Sequence, residues 1–152
     1  MFKNKTILVT GGTGSFGKKF TEIVLNKFSD LKKLIIFSRD ELKQFEMSNF
    51  YKSHKNYKKL RFFLGDVRDK DRVNVALRDV DIVIHAAALK HVPSSEYNPF
   101  ETIKTNVLGT QNIVETCISN QVQKLISLST DKASSPVNLY GASKLLADKI
   151  AV

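Results

Sequence analysis

Five short apolar runs punctuate the chain, at "KTILVT" (5–10), "KLIIFS" (33–38), "LRFFLG" (60–65), "DIVIHAA" (81–87) and "KLISLST" (124–130). They are continuously apolar instead of alternating, the pattern of strands covered on both faces. Longer segments of helical period separate them. Phe16, Phe20, Val24 and Phe28 recur every fourth residue after the first run, and Phe100, Ile103, Val107, Val114 and Ile118 mark a longer helix before the fifth. Both sets read as core-facing stripes. This alternation predicts an α/β fold, a doubly wound parallel sheet with helices on both sides, because parallel neighbours need crossovers and these pack right-handed. In such a sheet a ligand lies beyond the carboxyl ends of the strands, near the point where strand order reverses.

The run ends are where chemistry is expected. The first ends in "TGGTGSFG" (10–17), with Gly11, Gly14 and Gly17 spaced G-x-x-G-x-x-G around Thr13, Ser15 and Phe16 and a helix starting at once. Glycines let the backbone turn sharply and approach a diphosphate, whose charge the helix N-terminus meets with free N–H groups. The second ends in "FSRDE", where Ser38 and Arg39 stand in place of the carboxylate that an NAD site offers to the ribose. A guanidinium beside a small hydroxyl suits a 2′-phosphate, so NADP is expected over NAD, with Asp40 weighing the other way. After the third run, Asp69 is the better cap for the next helix, leaving Asp66 to accept from an adenine amino group and Val67 to lie against the ring. In "HAAALKHVP" the small Ala86 and Ala87 admit a cofactor close to the backbone, and Lys90 follows on the loop. A lone loop histidine, His91, receives no catalytic role.

The fifth run delivers "STDKASSPVNLYGASK" (129–144) to the same edge. Thr130, Asp131 and Lys132 leave the strand, Pro136 breaks the loop, and Leu139 starts a helix on which Tyr140 and Lys144 share one face. A phenolate favoured by the ammonium beside it can take a proton from a substrate alcohol as hydride leaves for nicotinamide.

Composition narrows the partners. The length of 152 residues suits one domain with a real core, and 42% hydrophobic with 26% charged residues is globular. The net charge of +9 would suit nucleic acid, an anionic membrane or a phosphate-bearing small molecule. Many lysines lie in "YKSHKNYKKLR" (51–61), which reads as a solvated helix end and loop and carries no RNA-binding signature, so no nucleic acid is expected. A lone cysteine, Cys117, lies among apolar residues and reads as a buried, inert thiol. No metal site is expected. "MFKNKTILVT" has no leader pattern and no stretch approaches the ~18 residues of a membrane span, so a cytoplasmic protein without a membrane partner is expected.

Taken in order, TGxxGxxG, DVRD, the NVxGT of "TNVLGT" and YxxxK resemble the extended short-chain dehydrogenase/reductases that handle nucleotide sugars, over about Lys5 to the last residue. More narrowly, "FSRDE", "HAAALKHVP", "STDKA" and "NLYGASK" are similar to the inverting UDP-N-acetylglucosamine 4,6-dehydratases that open the pseudaminic acid pathway. Within that resemblance, retaining hexose dehydratases carry Asp–Glu where this chain has Asp131–Lys132, and 4-epimerases lack the pair. A related capsule-pathway group has Met in place of Tyr140.

The resemblance implies that Tyr140 and Lys144 assist oxidation at sugar C4 while NADP accepts the hydride. Lys132 then removes the C5 proton, a protonated Asp131 donates to the departing C6 hydroxyl, and Thr130 holds the sugar. Lys90, Thr105 and Asn106 line the site between cofactor and substrate. It further implies a 4-keto-6-deoxy product for surface glycan or flagellin glycosylation, a homo-oligomer at full length, and a second part that closes over the sugar. On that reading the chain is an NADP-binding domain over residues 1–152 that stops within the Tyr140 helix. The alternatives are a non-catalytic NADP-binding fragment and a nucleotide-sugar epimerase.

Overall fold

The five expected strands form, in a computed structural model that describes residues 2–152: β1 Thr6–Thr10, β2 Lys33–Ser38, β3 Leu60–Leu64, β4 Ile82–His85 and β5 Lys124–Ser127. Every pairing is parallel and the order is β3-β2-β1-β4-β5, so the direction of winding reverses between β1 and β4. Two strands stop short of their apolar runs. Ala86 and Ala87 turn their N–H groups to the Thr10 hydroxyl, at 3.1 and 3.2 Å, and leave the ladder there.

Helices α1 (Ser15–Lys27), α2 (Glu41–Tyr51), α3 (Lys70–Ala76), α4 (Val92–Tyr97), α5 (Pro99–Ile103), α6 (Gly109–Ser119) and α7 (Leu139–Ala151) fill the crossovers, with a π-helical turn at Lys104–Leu108. The unbroken apolar runs follow from two cores. Ile7, Val9, Leu34, Ile36, Ile82 and Ile84 face α1 and α2, meeting Val24, Leu25, Met47 and Tyr51. The residues between them, Leu8, Ile35, Phe37 and Val83, meet Val73 and Ala76 of α3 and Ile113 and Cys117 of α6. Two-sided cover holds for the three central strands only. The edge strands β3 and β5 leave residues such as Arg61, Leu64, Lys124 and Ile126 exposed.

Both expected helix stripes need correction. Val24 is buried and Phe20 and Phe28 lean on the core, but Phe16 is exposed because α1 begins beyond the end of the sheet. In the second stripe Phe100 and Ile118 point outward. The buried face there runs through Thr102, Thr105, Asn106, Thr110, Ile113, Thr116 and Cys117. The π-helical turn shifts the register of that face. Threonines can be buried on it because Thr110 and Thr116 donate to the carbonyls of Asn106 and Asn112, at 2.7 and 2.6 Å. The Cys117 thiol is buried as expected, and burial pushes its pKa up to about 12. Among the described residues no helix is long and apolar enough to cross a membrane.

Candidate active site

A cleft of about 600 Å³ opens at the switch point between β1 and β4. Its walls include Gly11, Thr13, Gly14, Ser15, Phe16, Ser38, Arg39, Asp66, Val67, Ala86, Ala87, Lys90 and Thr105. Gly17, also expected there, does not line it. A side chain at Gly17 would meet Gly12 Oat 2.2 Å, so this glycine serves the packing of α1 on the loop beneath. Asn106, Thr130, Tyr140 and Lys144 also lie outside the walls of the cleft.

Three features of the cleft suit a dinucleotide. Gly11 sits at φ 63°, and a Cβ there would come within 3.0 Å of Ala86 and Ala87, so the loop lies flat on the end of β4. Asp40, Asp69 and Asn138 cap α2, α3 and α7 through their side chains, whereas α1 starts at Gly14 with no side-chain cap and keeps its first N–H groups for another partner. On the wall, the buried Thr105 hydroxyl has no hydrogen-bond partner among the described residues.

At the β2 and β3 ends the charges are paired. Asp66 is not free, as it was expected to be. It accepts from Arg68 Nη2 at 2.7 Å and Nε at 3.0 Å, and Arg39 Nη1 lies 3.6 Å away. Burial alone would raise its pKa, but the hydrogen bonds from Arg68 and the charges of Arg68 and Arg39 prevail and hold it low. Asp40 caps α2, accepting from the Lys43 N–H at 3.0 Å, and its carboxyl pairs with Lys43 Nζ at 2.8 Å. Lys18 and Lys43 also line the cleft and were not anticipated. The D-x-x-K spacing of Asp40 and Lys43 was a legible sign for the second, since a cap and the residue three on share one turn.

At the β5 end Thr130 caps a short turn of residues 131–133 and its hydroxyl donates to Asp131 at 3.0 Å. Lys132 Nζ lies 3.5 Å from Asp131, with side chains 53% and 87% exposed respectively. The Thr130 hydroxyl, then the charge of Lys132, hold the Asp131 carboxyl below its ordinary pKa. Both side chains of the pair are therefore open to solvent. A Cβ on Gly141 would lie 2.3 Å from Lys132 O, so the turn is seated directly on the start of α7 beside Tyr140. Lys144 is buried, donates to Leu128 O at 2.6 Å, and has its pKa pushed down by that burial against the opposing charge of Asp148. Asn106 is turned inward and 1% exposed, its amide engaged with Leu89 and Ser143, so its place is in the scaffold and not in the expected substrate contact.

Sequence reading missed His85. It is buried at the end of β4, 2.7 Å from Thr10 Oγ1 and 3.0 Å from Thr110 Oγ1. The signal was a single imidazole inside "DIVIHAA". Burial, then the charge of Lys144, lowers its pKa from 6.5 to about 3. The unfolded chain takes up this proton near 6.5 and the folded chain only near 3, so stability is full above that interval and falls as pH drops through it. The expected slope approaches about 1.4 kcal/mol per pH unit. Urea unfolding between pH 7 and 4.5 measures it, His85→Gln should flatten it, and a wild-type curve flat over that range would contradict it.

A family model described as polysaccharide biosynthesis protein matches residues 7–152. A curated relative from Campylobacter jejuni, named UDP-N-acetylglucosamine 4,6-dehydratase (inverting), is 60% identical over the whole chain, which spans 44% of that relative's length. A Rickettsia typhi relative named UDP-glucose 4-epimerase is 48% identical over the whole chain. Among solved structures, Pen from Bacillus thuringiensis superposes with a TM-score of 0.92 at 41% identity, over 99% of this chain and 44% of that one. DesIV, a dTDP-glucose 4,6-dehydratase from Streptomyces venezuelae solved with NAD, gives 0.83 at 27% identity over 95% of this chain and 50% of its own.

Proposed function

We propose that this chain, which belongs to the polysaccharide biosynthesis protein family, is the NADP-binding part of an enzyme that dehydrates UDP-N-acetylglucosamine across C5 and C6 with inversion at C5. The observation that supports the reading is the seating of the Asp131–Lys132 turn on Gly141, which brings the Lys132 backbone against the first turn of the helix that carries Tyr140. Bound NADP+ would take a hydride from sugar C4 and later return it at C6. Gly11, Gly14 and the uncapped start of α1 would hold its diphosphate, Val67 and Asp66 its adenine, and Ala86 and Ala87 its path across the β4 end. Tyr140 would accept the C4 hydroxyl proton, with Lys144 holding the phenolate in place. The C4 ketone acidifies C5, where Lys132 in its neutral form would take the proton, and C5 would be reprotonated on the opposite face as hydride returns to C6. Asp131 would give one to the departing C6 hydroxyl; its ionised state in this chain means that cover by sugar would have to raise its pKa. Thr130, Lys90 and Thr105 would bind the sugar nucleotide.

NADP is favoured over NAD because Asp40, the carboxylate that could hold a ribose, is taken up as the cap of α2 and paired with Lys43. Ser38, Arg39 and Lys43 would receive the 2′-phosphate. The expected preference is at least about tenfold, one charge-assisted contact being worth about 1.5–3 kcal/mol. Arg39→Ala should erase most of it, and equal calorimetric affinities for the two cofactors in the unmutated chain would refute the assignment.

Incubation of a protein of the relatives' length with NADP+ and UDP-N-acetylglucosamine tests the whole reading. A 4-keto-6-deoxy product supports it. A C4 epimer would favour the epimerase named among the relatives, and cofactor binding without product would mark a binding module, for which the exposed Asp131–Lys132 pair is the specific observation. The same site implies work in the cytoplasm, where the nucleotide sugar and NADP would be met, and a homo-oligomer at full length.

A further inference from the structure

His85 stands at the centre of a hydrogen-bond network whose protons can all be placed. Thr10 Oγ1 accepts from the N–H groups of Ala86 and Ala87, at 3.1 and 3.2 Å, so its own proton is directed to His85 Nδ1 at 2.7 Å. Nδ1 is thereby the acceptor, and a neutral ring then carries its hydrogen on Nε2. Thr110 Oγ1, 3.0 Å from Nε2, donates its proton to Asn106 O at 2.7 Å and is free to accept. Through its backbone carbonyl Asn106 thus holds Thr110, and its side chain makes a second, separate set of bonds. Its Oδ1 accepts from the Leu89 N–H at 2.8 Å, and its Nδ2 donates to Leu89 O and Ser143 Oγ, both at 2.9 Å. Ser143 Oγ donates to Tyr140 O at 2.8 Å.

The two ends of this network are the two halves of the site. At one end Thr10 sets the Ala86–Ala87 amides, on which the glycine loop lies within 3.0 Å of where a Gly11 side chain would be. At the other end Ser143 holds the first turn of the helix that carries Tyr140 and Lys144. Asn106 belongs to the π-helical turn between them, and its carbonyl accepts from the Thr110 hydroxyl.

We propose that His85 is a positioning residue that fixes the spacing between the cofactor floor and the catalytic helix. The inference rests on the cofactor site proposed above. A rigid ring that accepts at one nitrogen and donates at the other spans two hydroxyls on separate elements, whereas an aliphatic residue leaves the Thr10 proton without its acceptor and Thr110 Oγ1 without the donor it faces, in a dry site. His85 does not line the cleft and would act through Thr10 and Thr110.

The test uses the chain as it stands. Imidazole 15N spectra of histidine-labelled protein should show His85 as the Nε2–H tautomer. His85→Leu and Thr110→Val should each weaken NADP+ binding, by at least about tenfold and by several-fold respectively, when measured calorimetrically well below the melting temperature and with native circular dichroism. His85→Gln, which keeps a donor and an acceptor, should restore part of the loss. Amide exchange at Leu89 and Ser143 should quicken together in both weakened variants. If His85→Leu does not fold, Thr110→Val carries the test. An Nδ1–H tautomer overturns the proposal. So do variants that melt earlier yet bind NADP+ with unchanged affinity, since that is the result of a merely structural role. Wild-type chain that binds no NADP+ at all would instead refute the cofactor reading itself, and the positioning role with it.

Discussion

Lys132→Ala, made in a protein of the length of the relatives, will leave NADP+ binding and oxidation at C4 in place and slow loss of water by roughly 10²–10⁴-fold, the scale of a positioned general base. The expectation follows from the division of the site. The proposed cofactor contacts lie on the β1 to β4 ends, and the phenol and buried ammonium lie on α7, while Lys132 follows the end of β5 with an exposed side chain 3.5 Å from Asp131. Removal of the C5 proton is then the only step that loses its group. Solvent deuterium should stop entering C5 while the C4-oxidised sugar still forms, and Tyr140→Phe should block one step earlier, before any ketone appears. A Lys132→Ala protein that exchanges C5 at the normal rate would reduce the pair to the exposed, solvent-screened ion pair seen in this chain.

Gly17→Ala should cost about 3 kcal/mol of stability, the upper end of what an overpacked core methyl group does, and abolish measurable cofactor binding. The added Cβ would sit 2.2 Å from Gly12 O, 2.4 Å from its carbonyl carbon and 2.5 Å from its Cα. All three are backbone atoms, so no side chain can swing away. Either α1 lifts from the loop or the loop leaves β1, and each movement breaks the turn that Gly11 makes at φ 63°. Urea denaturation followed by circular dichroism, with NADP+ titration of the folded protein, measures both effects. A variant with unchanged midpoint and affinity would show that the close approach is not needed.

The periodicity along the chain determined the sheet, its parallel sense and the address of the cleft, because each of these depends on local pattern. Apolar runs too short for helices must become strands, and an alternating core on both faces leaves no polar positions to signal otherwise. The glycine turn, Arg39, Ala86 and Ala87 were legible for the same reason, since each acts from a fixed offset after a strand end. What was not legible depended on where side chains turn. The pairing of Asp66 with Arg68, only two residues on, leaves no mark in the sequence because it depends on the direction the guanidinium takes, and the proposed adenine contact shares the carboxylate with it. Asn106, which the resemblance placed at the substrate contact, lies on a π-helical turn invisible to a 3.6-residue period, and its amide meets Ser143, 37 residues away. The stripe on α5 and α6 slipped for the same cause, and buried threonines that satisfy their own hydroxyls on the helix backbone filled the face expected for Phe100 and Ile118.

The sequence by itself determined which residue types stand at each strand end, because strand, turn and helix start are set by neighbours in the chain. Only the tertiary structure decided how those ends are locked together. His85, Thr10 and Thr110 meet from β4, β1 and α6, across sequence separations of 75 and 25 residues, and an imidazole reports its tautomer only through the two hydroxyls that it meets. Burial likewise belongs to the fold: Lys132 and Lys144 are the same side chain twelve positions apart, one in solvent and one pressed against Leu128 O, and the low dielectric around the second is made by elements that no local pattern brings near.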